Sequence, residues 1–353
     1  MRACCLALLV FGALGCVLPD FQKVATDPNT DAGAQDAATA SGPSCGLSNR
    51  LTTSCNACIR QNCCDLAKAC GQGTACGADL LKPITPVTQV SSAFDALLGC
   101  MQSQCDEACD VTWGCIDKYT WPVPSKDYGF RVDVIDFAAE PRMPLPGVTV
   151  DACQSVDPTC QSGRTSRAVT DKNGSVMLSV PPAFDGFFSF SGAGYAPSTT
   201  QWTEPIYRVS NFTQFQLTSD ALAGLAVATG VHKSFTDPFD PTTGHVIFRV
   251  QGCLPVRYLD NTGLPHAEAA DVKVSISPNP GASRVFYTDK SNAVALALGM
   301  TSSRGVGGAF SLPASNLTVS AVDMKSGREV STGTVLVRAG GVAFMYMLPN
   351  SAR

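Results

Sequence analysis

The chain has 353 residues and a formal net charge of −4, and its composition excludes several classes of protein. Charged residues make up 15% of it, against about 25% in an ordinary soluble domain. The near-neutral charge, without any Lys/Arg-rich run, excludes a nucleic-acid-binding surface built on phosphate neutralisation. A hydrophobic content of 45% excludes a mostly disordered chain. Only three histidines are present, His232, His245 and His266, which leaves little material for imidazole chemistry.

The first 16 residues, MRACCLALLVFGALGC, have the arrangement of an export signal. Arg2 precedes an apolar run over residues 3–14, and small Gly15 follows it. The run is too short to span a bilayer, which needs about 20 apolar residues. We therefore expect an exported protein, and a conventionally cleaved signal would make it a secreted one.

The end of this signal, Ala13-Leu14-Gly15-Cys16, resembles the lipobox of bacterial lipoproteins, although that family usually has Leu in place of Ala13. The resemblance implies that Cys16 is lipidated and becomes the new N-terminus. Val17 stands where an inner-membrane retention signal would place Asp, so in a Gram-negative source the resemblance implies the outer membrane. The expected partner at this end is a membrane, held through lipid.

Residues 17–44 predict a flexible linker, because they are small and polar without an apolar period. Eleven of the 17 cysteines then fall within residues 45–115. Helical spacing over residues 55–70 and 91–110, with a capping-box pattern at Ser92 and Asp95, predicts two antiparallel helices. We expect residues 45–120 to form a small helical module joined by disulfides.

Structural disulfides are the expected state of the cysteines, because thiols oxidise in exported proteins. Zinc binding fits the spacing alone, but the cluster contains no His. A redox role for Cys55 and Cys58 would need a preceding strand, and none is predicted. Cys153 and Cys160 look like a local pair, whereas Cys253 is left open between a bridge to the cluster and a free buried thiol. The disulfide candidates are Cys45, Cys55, Cys58, Cys63, Cys64, Cys70, Cys76, Cys100, Cys105, Cys109, Cys115, Cys153, Cys160 and Cys253.

From residue 128 onward, short β-rich runs recur about every ten residues between Gly, Pro, Asn and Asp, which is typical of a sandwich. One set of runs fills 128–217 and a second fills 244–349, with a short helix and loop at 218–243. We predict a mainly β protein with two immunoglobulin-like or transthyretin-like sandwiches after the helical module. The predicted strands are 128–137, 147–153, 175–181, 186–192, 211–217, 244–253, 270–278, 283–289, 308–313, 316–323, 334–340 and 342–349.

Three motifs of the first set suggest a family: GVTV at 147–150, TDKNGSVMLSVP at 170–181 and GAGY at 192–195. Together they resemble carboxypeptidase regulatory-like (transthyretin-like) domains, with Val176 where that family usually has Phe. The resemblance implies a non-catalytic accessory domain on an exported protein, and a shared sandwich does not carry activity across.

Intradiol dioxygenases also use a transthyretin-like sandwich, with iron on two tyrosines and two closely spaced histidines. Tyr207-Arg208 is superficially similar to their Tyr-Arg pair, but His232 and His245 are 13 residues apart. We therefore expect no iron here, and no other metal or cofactor.

The stretch 190–208 is rich in Gly, Pro and Thr and carries three aromatic candidates for ligand binding, Tyr195, Trp202 and Tyr207. Displayed on a loop, they would stack on sugar rings. The favoured alternative is that Trp202 and Tyr207 cover the sandwich edge or pack on the helix at 219–230.

The sequence as a whole predicts a non-catalytic, exported cell-envelope lipoprotein with a structural, adhesion or scaffold role. Its expected partners are the membrane, envelope polysaccharide or other surface proteins, and no nucleic acid. The alternatives are a carbohydrate- or peptidoglycan-binding surface protein and an exported enzyme of unidentified type.

Overall fold

The computed structural model describes residues 45, 52–71, 73–79, 91–117, 126–139, 143–205, 211–234, 240–253, 269–278, 285–291, 293–295 and 297–351. The predicted signal with Cys16, the linker, Tyr207 and His266 lie outside the described residues. The described residues belong to one compact unit, Ser44–Arg353.

The described residues of the helical module contain four helices, two of them long enough to pack against each other. They are α1 (Thr53–Asn62), α2 (Cys64–Lys68), α3 (Ala75–Asp79) and α4 (Ser92–Cys109). The backbone N–H of Phe94 donates to the Ser91 hydroxyl, 3.4 Å away, so the N-cap of α4 is Ser91 and the expected capping box at Ser92 is wrong by one residue. Helix α4 ends at Asp110, whose φ of 48° takes the chain out of the helical path.

Three disulfides join α1 and the residue directly after it to α4: Cys55–Cys109, Cys58–Cys105 and Cys63–Cys100. As the residue number of the first cysteine in each bridge rises, the residue number of its partner in α4 falls. The two helices are therefore antiparallel, as the helical spacing predicted. Ile59, Leu97 and Leu98 are fully buried between them. A core this small needs covalent support, which these bridges supply.

The rest of the described chain is mainly β, which confirms the predicted fold class. The elements are β1 (Tyr128–Asp136), β2 (Thr149–Gln154), β3 (Arg164–Val169), β4 (Ser175–Val180), β5 (Gly186–Ser191), β6 (Ser198–Trp202), β7 (Asn211–Gln216), α5 (Ser219–Ala228), β8 (Thr243–Val250), β9 (Val272–Ser277), β10 (Val285–Thr288), β11 (Val294–Ala295), β12 (Val306–Pro313), β13 (Asn316–Asp323), β14 (Glu329–Leu336) and β15 (Val342–Met347).

Strands β3, β6 and β11 lie outside every predicted run, and β14 begins before the run expected at 334–340. Strand β3, RTSRAV, is exposed or half-buried along its whole length, so it has no apolar alternation to detect. Strand β6, STTQW, is buried but polar. These strands join the sheet through backbone hydrogen bonds with their neighbours, and their own side chains show no apolar alternation that would predict a strand.

The strands form one nine-stranded sheet and two three-stranded sheets. The order in the large sheet is β11-β10-β12-β8-β15-β6-β5-β2-β3, and the small sheets are β4-β1-β7 and β14-β13-β9. Strand β15 runs parallel to β6 on one side and to β8 on the other. The two predicted sets of strands therefore meet in one shared sheet.

The small sheets pack on opposite faces of this shared sheet. Phe188 of β5 and Phe344 of β15 both pair with Thr200 of β6, so their side chains lie on the same face of the shared sheet. Side chains alternate along a strand, so Met345, the next residue of β15, lies on the opposite face. The face of Phe188 packs against sheet β4-β1-β7. The face of Met345 packs against sheet β14-β13-β9. Helix α5 covers Phe344 on the first face.

The helical module is attached to the second of these cores. Trp113 and Ile116, which follow α4, are buried in the same apolar cluster as Phe248 and Val319. The disulfide Cys115–Cys253 closes this junction, and the N–H of Cys253 donates to the carbonyl of Thr112 over 2.8 Å. The question left open for Cys253 is thereby answered.

Candidate functional site

A groove lies along strand β14, at the edge of sheet β14-β13-β9, where this small sheet packs on the shared sheet. Its floor comes from the ends of β5 and β6 and its wall from β13 and β14. The volume is about 550 Å³. The lining residues are Ser155, Asp185, Gly186, Phe187, Gln201, Trp202, Thr203, Asn316, Thr318, Thr332, Gly333, Thr334 and Leu336.

One end of the groove is closed by close contact between Gly333 and Thr203. A Cβ at Gly333 would come within 2.9 Å of the Thr203 Cγ2 atom, so this approach of β14 to β6 requires glycine. The Thr203 hydroxyl accepts from the N–H of Leu348 over 2.9 Å and lies 3.2 Å from the Ser331 hydroxyl. Thr203 therefore ties β14 and the end of β15 to β6.

The backbone of β14 points hydrogen-bonding groups toward the groove. The N–H of Thr332 donates to Asn350 Oδ1 over 3.0 Å, and the carbonyl of Leu336 accepts from Gln201 Nε2 over 3.4 Å. Both groups point away from β13. Backbone direction alternates along a strand, so the N–H and C=O of Thr334, between them, point the same way.

The lining is hydroxyl-rich and carries little charge. Eight of the thirteen side chains are hydroxyls, amides or a carboxylate, and among them Asp185 alone is charged. Thr318 and Thr334 form an exposed cross-strand pair on the outer face of their sheet. Such a surface donates and accepts hydrogen bonds with neutral polar groups.

Arg338 fastens the floor of the groove to the loop closed by the Cys153–Cys160 disulfide. Its guanidinium lies 5.0 Å from the ring centroid of Phe187 and donates to the Ser189 hydroxyl at 3.0 Å and to the Pro158 carbonyl at 2.6 Å. Burial lowers the pKa of Arg338 from its usual value. Its donors are thus engaged by Ser189 and Pro158.

Asp157 organises that disulfide loop from within. Its carboxylate accepts from the N–H groups of Thr159, Ser162 and Gly163 at 2.7–3.0 Å. The hydrogen bond from the Thr159 hydroxyl, followed by those from the Gly163 N–H and from Ser162, holds the pKa of Asp157 well below its usual range.

The predicted aromatic candidates do not form one displayed surface among the described residues. Trp202 stacks on Tyr346 with ring centroids 5.3 Å apart and packs edge-on against Phe130 and Phe188. It therefore lies half-buried at the seam of the sandwich, and residue 202 also contributes to the lining of the groove. The Tyr195 hydroxyl donates to Asp136 Oδ2 over 3.0 Å at the other end of β6. Ligand binding on Tyr195, Trp202 and Tyr207 together stays a prediction.

All 14 candidate cysteines are paired in seven disulfides. Besides the three bridges between α1 and α4, these are Cys45–Cys64, Cys70–Cys76, Cys115–Cys253 and Cys153–Cys160. Within the described ranges, no group of three or more His, Cys, Asp or Glu residues is placed to hold a metal ion.

His245 is buried on β8, away from the groove. Its Nδ1 accepts from the N–H of Ser311 over 3.4 Å, and its ring lies 5.1 Å from that of Phe310. Burial lowers the pKa of His245 to about 4, and the nearby His232 acts in the same direction. His245 is thus a neutral core side chain at pH 7.

Sequence reasoning missed the groove itself. Thr318, Thr332 and Thr334 read as ordinary solvent-facing positions of alternating strands. The contact that turns them into a groove wall joins Ser331 to Thr203 across 128 residues of sequence. No local pattern signals it.

Comparisons with known proteins find only remote likeness. No protein-family model matches the sequence, and no curated protein matches it. The shaft pilin SpaA of Lactobacillus rhamnosus GG is 11% identical over 64% of this chain and 98% of the pilin, with a TM-score of 0.19. The minor pilin GBS52 of Streptococcus agalactiae is 10% identical over 63% and 96%, with a TM-score of 0.20. A 3-chlorocatechol 1,2-dioxygenase of Rhodococcus opacus is 14% identical over 28% and 64%, with a TM-score of 0.20. Likeness at these TM-scores carries no argument about this chain.

In the part of the chain that the structure describes, no helix has both the length and the hydropathy of a membrane span.

Proposed function

We propose that this chain is a non-catalytic protein of the cell envelope, exported and held to the membrane by lipid on Cys16. Its role is structural: a rigid β-rich body that serves in adhesion or as a scaffold outside the cell. The resemblance of its first strands to carboxypeptidase regulatory-like domains agrees with an accessory role of this kind.

The observation that carries the proposal is the set of seven disulfides. Structural disulfides form and persist in oxidising compartments and are rare in the cytosol. Cys115–Cys253 bridges 138 residues of sequence and joins the helical module to the β body. A body cross-linked in this way keeps its shape under mechanical and chemical stress outside the cell.

The shared sheet supports a load-carrying role. Strand β15 has backbone partners on both sides, so the two halves of the β body are joined by main-chain hydrogen bonds rather than by side chains alone. A single linker would let the halves move independently, whereas this sheet resists separation. Arg338 adds contacts from the second half to Ser189 and Pro158 of the first.

Cell fractionation tests the location and the anchor together. The full-length protein and its Cys16→Ser variant are expressed with their own signal, and cytosol, membranes and medium are probed separately. We expect the wild type in the membrane fraction and the variant in a soluble exported fraction. Finding the wild type in the cytosol would contradict the proposal.

Adhesion is tested by co-sedimentation of the purified full-length protein with isolated cell-envelope material. We expect the wild type to sediment with envelope fragments from which lipids have been extracted. A protein that remains in the supernatant would contradict the adhesion role and leave only a scaffold role. Hydrolase or oxidoreductase turnover by the same preparation would overturn the non-catalytic proposal.

A further inference from the structure

We propose that the groove between β14 and β6 binds a short neutral oligosaccharide. This inference deepens the proposed adhesion function and rests on it, because it names the chemical class that the β body would hold. The site differs from the aromatic surface predicted on Tyr195, Trp202 and Tyr207.

The size of the groove fits a small ligand. Its volume of about 550 Å³ falls in the range of roughly 300–1,000 Å³ that is common for ligand sites. The contact between Gly333 and Thr203 closes one end, and the outer side is open to solvent. A compact ligand is therefore better suited to it than an extended chain.

An added peptide strand is the main competing ligand, and the edge of β14 argues against it. Asn350 already accepts from the N–H of Thr332 and donates to the carbonyl of Val330 over 2.9 Å. Thr203 blocks the approach at Gly333. The carbonyl of Leu336 already accepts from Gln201, so Thr334 and the N–H of Leu336 are left to pair with an added strand, which is usually about 5–6 residues long.

The hydrogen-bonding chemistry of the lining matches sugar hydroxyls. Each threonine hydroxyl both donates and accepts, as each sugar hydroxyl does. Thr318 and Thr334 stand side by side on the wall, and Asn316 lies opposite Leu336 at the next pair. The half-buried side chain of Leu336, which packs beside Phe187, adds apolar surface for the C–H face of a sugar ring.

The charge of the lining disfavours anionic ligands. Asp185 is the single charged side chain among the described lining residues, so an anionic ligand would be repelled. The nearest guanidinium, that of Arg338, is engaged with Phe187, Ser189 and Pro158. A neutral, hydroxyl-rich ligand meets neither repulsion nor an unpaired buried charge.

Calorimetric titration of the purified full-length protein tests the proposal, with chitotriose, cellotriose and maltotriose as separate probes. We expect at least one of the three to bind. Thr318→Ala and Thr334→Val should each weaken that binding roughly two- to ten-fold, the usual effect of losing one hydrogen bond. Ser320→Ala is the matched control, because Ser320 lies two residues from Thr318 on the same face and does not line the groove.

Asp185→Asn tests how much the charged lining residue contributes to sugar binding. For a neutral sugar, affinity should change less than it does in Thr318→Ala. Complete loss of sugar binding in Asp185→Asn would show that this one carboxylate, and not the threonine wall, holds the ligand, and would overturn the proposal. Thermal unfolding of each variant shows whether it is folded.

Two further outcomes would also overturn the proposal. One is that none of the three sugars binds at millimolar concentration. The other is that Thr318→Ala and Ser320→Ala bind equally well. Fractionation and envelope co-sedimentation are measured separately from sugar binding. If the protein is found in the envelope but binds no sugar, only the groove proposal is contradicted. A cytosolic protein defeats the proposed function itself.

Discussion

The disulfide Cys115–Cys253 should contribute far more to stability than Cys153–Cys160, because it closes a much longer loop. The two bridges span 138 and 7 residues of sequence. Loop-closure entropy then gives about 5 kcal/mol for the first and about 2 kcal/mol for the second. All four cysteines are at most 5% exposed, so replacing each pair by alanine removes similar packing.

The assay is urea unfolding of Cys115→Ala/Cys253→Ala and of Cys153→Ala/Cys160→Ala without reductant, followed by fluorescence and circular dichroism. We expect the first pair to lower the free energy of unfolding by about 3 kcal/mol more than the second. Trp113 is buried in the same cluster as Cys115, so part of the tryptophan fluorescence comes from the junction. Equal losses in the two double variants would refute the loop-entropy reasoning and show that local packing dominates.

Three further predictions follow from buried contacts. The pKa of His245 is lowered to about 4, so the unfolded chain, with an ordinary histidine pKa near 6.5, binds a proton first as pH falls. The contribution of His245 to the free energy of unfolding is therefore fully present above pH ~6.5 and decreases by up to about 3 kcal/mol on going to pH 4. Denaturant unfolding of His245→Gln across this pH range should lack this decrease. A decrease of the same size in the variant would mean that other groups cause it. Trp202→Ala should cost about 3–5 kcal/mol, because it removes a ring that packs on Phe130 and Phe188; a loss under 1 kcal/mol in thermal unfolding would show that the ring is not part of the core. Thr218→Ala should cost about 1 kcal/mol, because its hydroxyl accepts from the N–H of Ala221 at the start of α5, and Thr218→Ser should retain that energy in the same measurement.

The interior of the first sandwich also shows why β6 escaped sequence analysis. Its Ser198 and Thr200 are buried yet polar. The Ser198 hydroxyl accepts from Gln216 Nε2 over 2.8 Å, and Thr200 hydrogen-bonds to Gln214. A strand can be buried with polar side chains when the facing strand supplies partners, so hydrophobicity alone does not find it.

Local features of this protein followed from its sequence because they depend on near neighbours. Alternating apolar residues placed β1, β9 and β13, and helical spacing with cysteines placed α1 and α4. The oxidising compartment implied disulfides because cysteine chemistry depends on environment more than on fold. None of these inferences required knowledge of which distant residues meet.

The tertiary structure decided everything that depends on partner choice. A strand's side-chain period shows which residues point inward, but its backbone groups are the same in every strand, so nothing in β15 specifies β6 and β8 as its neighbours. The placement of the small sheets on opposite faces, the pairing of Cys253 with Cys115 and the groove along β14 all follow from that choice. The groove exists only because Gly333 meets Thr203 there, and a contact between residues so far apart in sequence has no local signature.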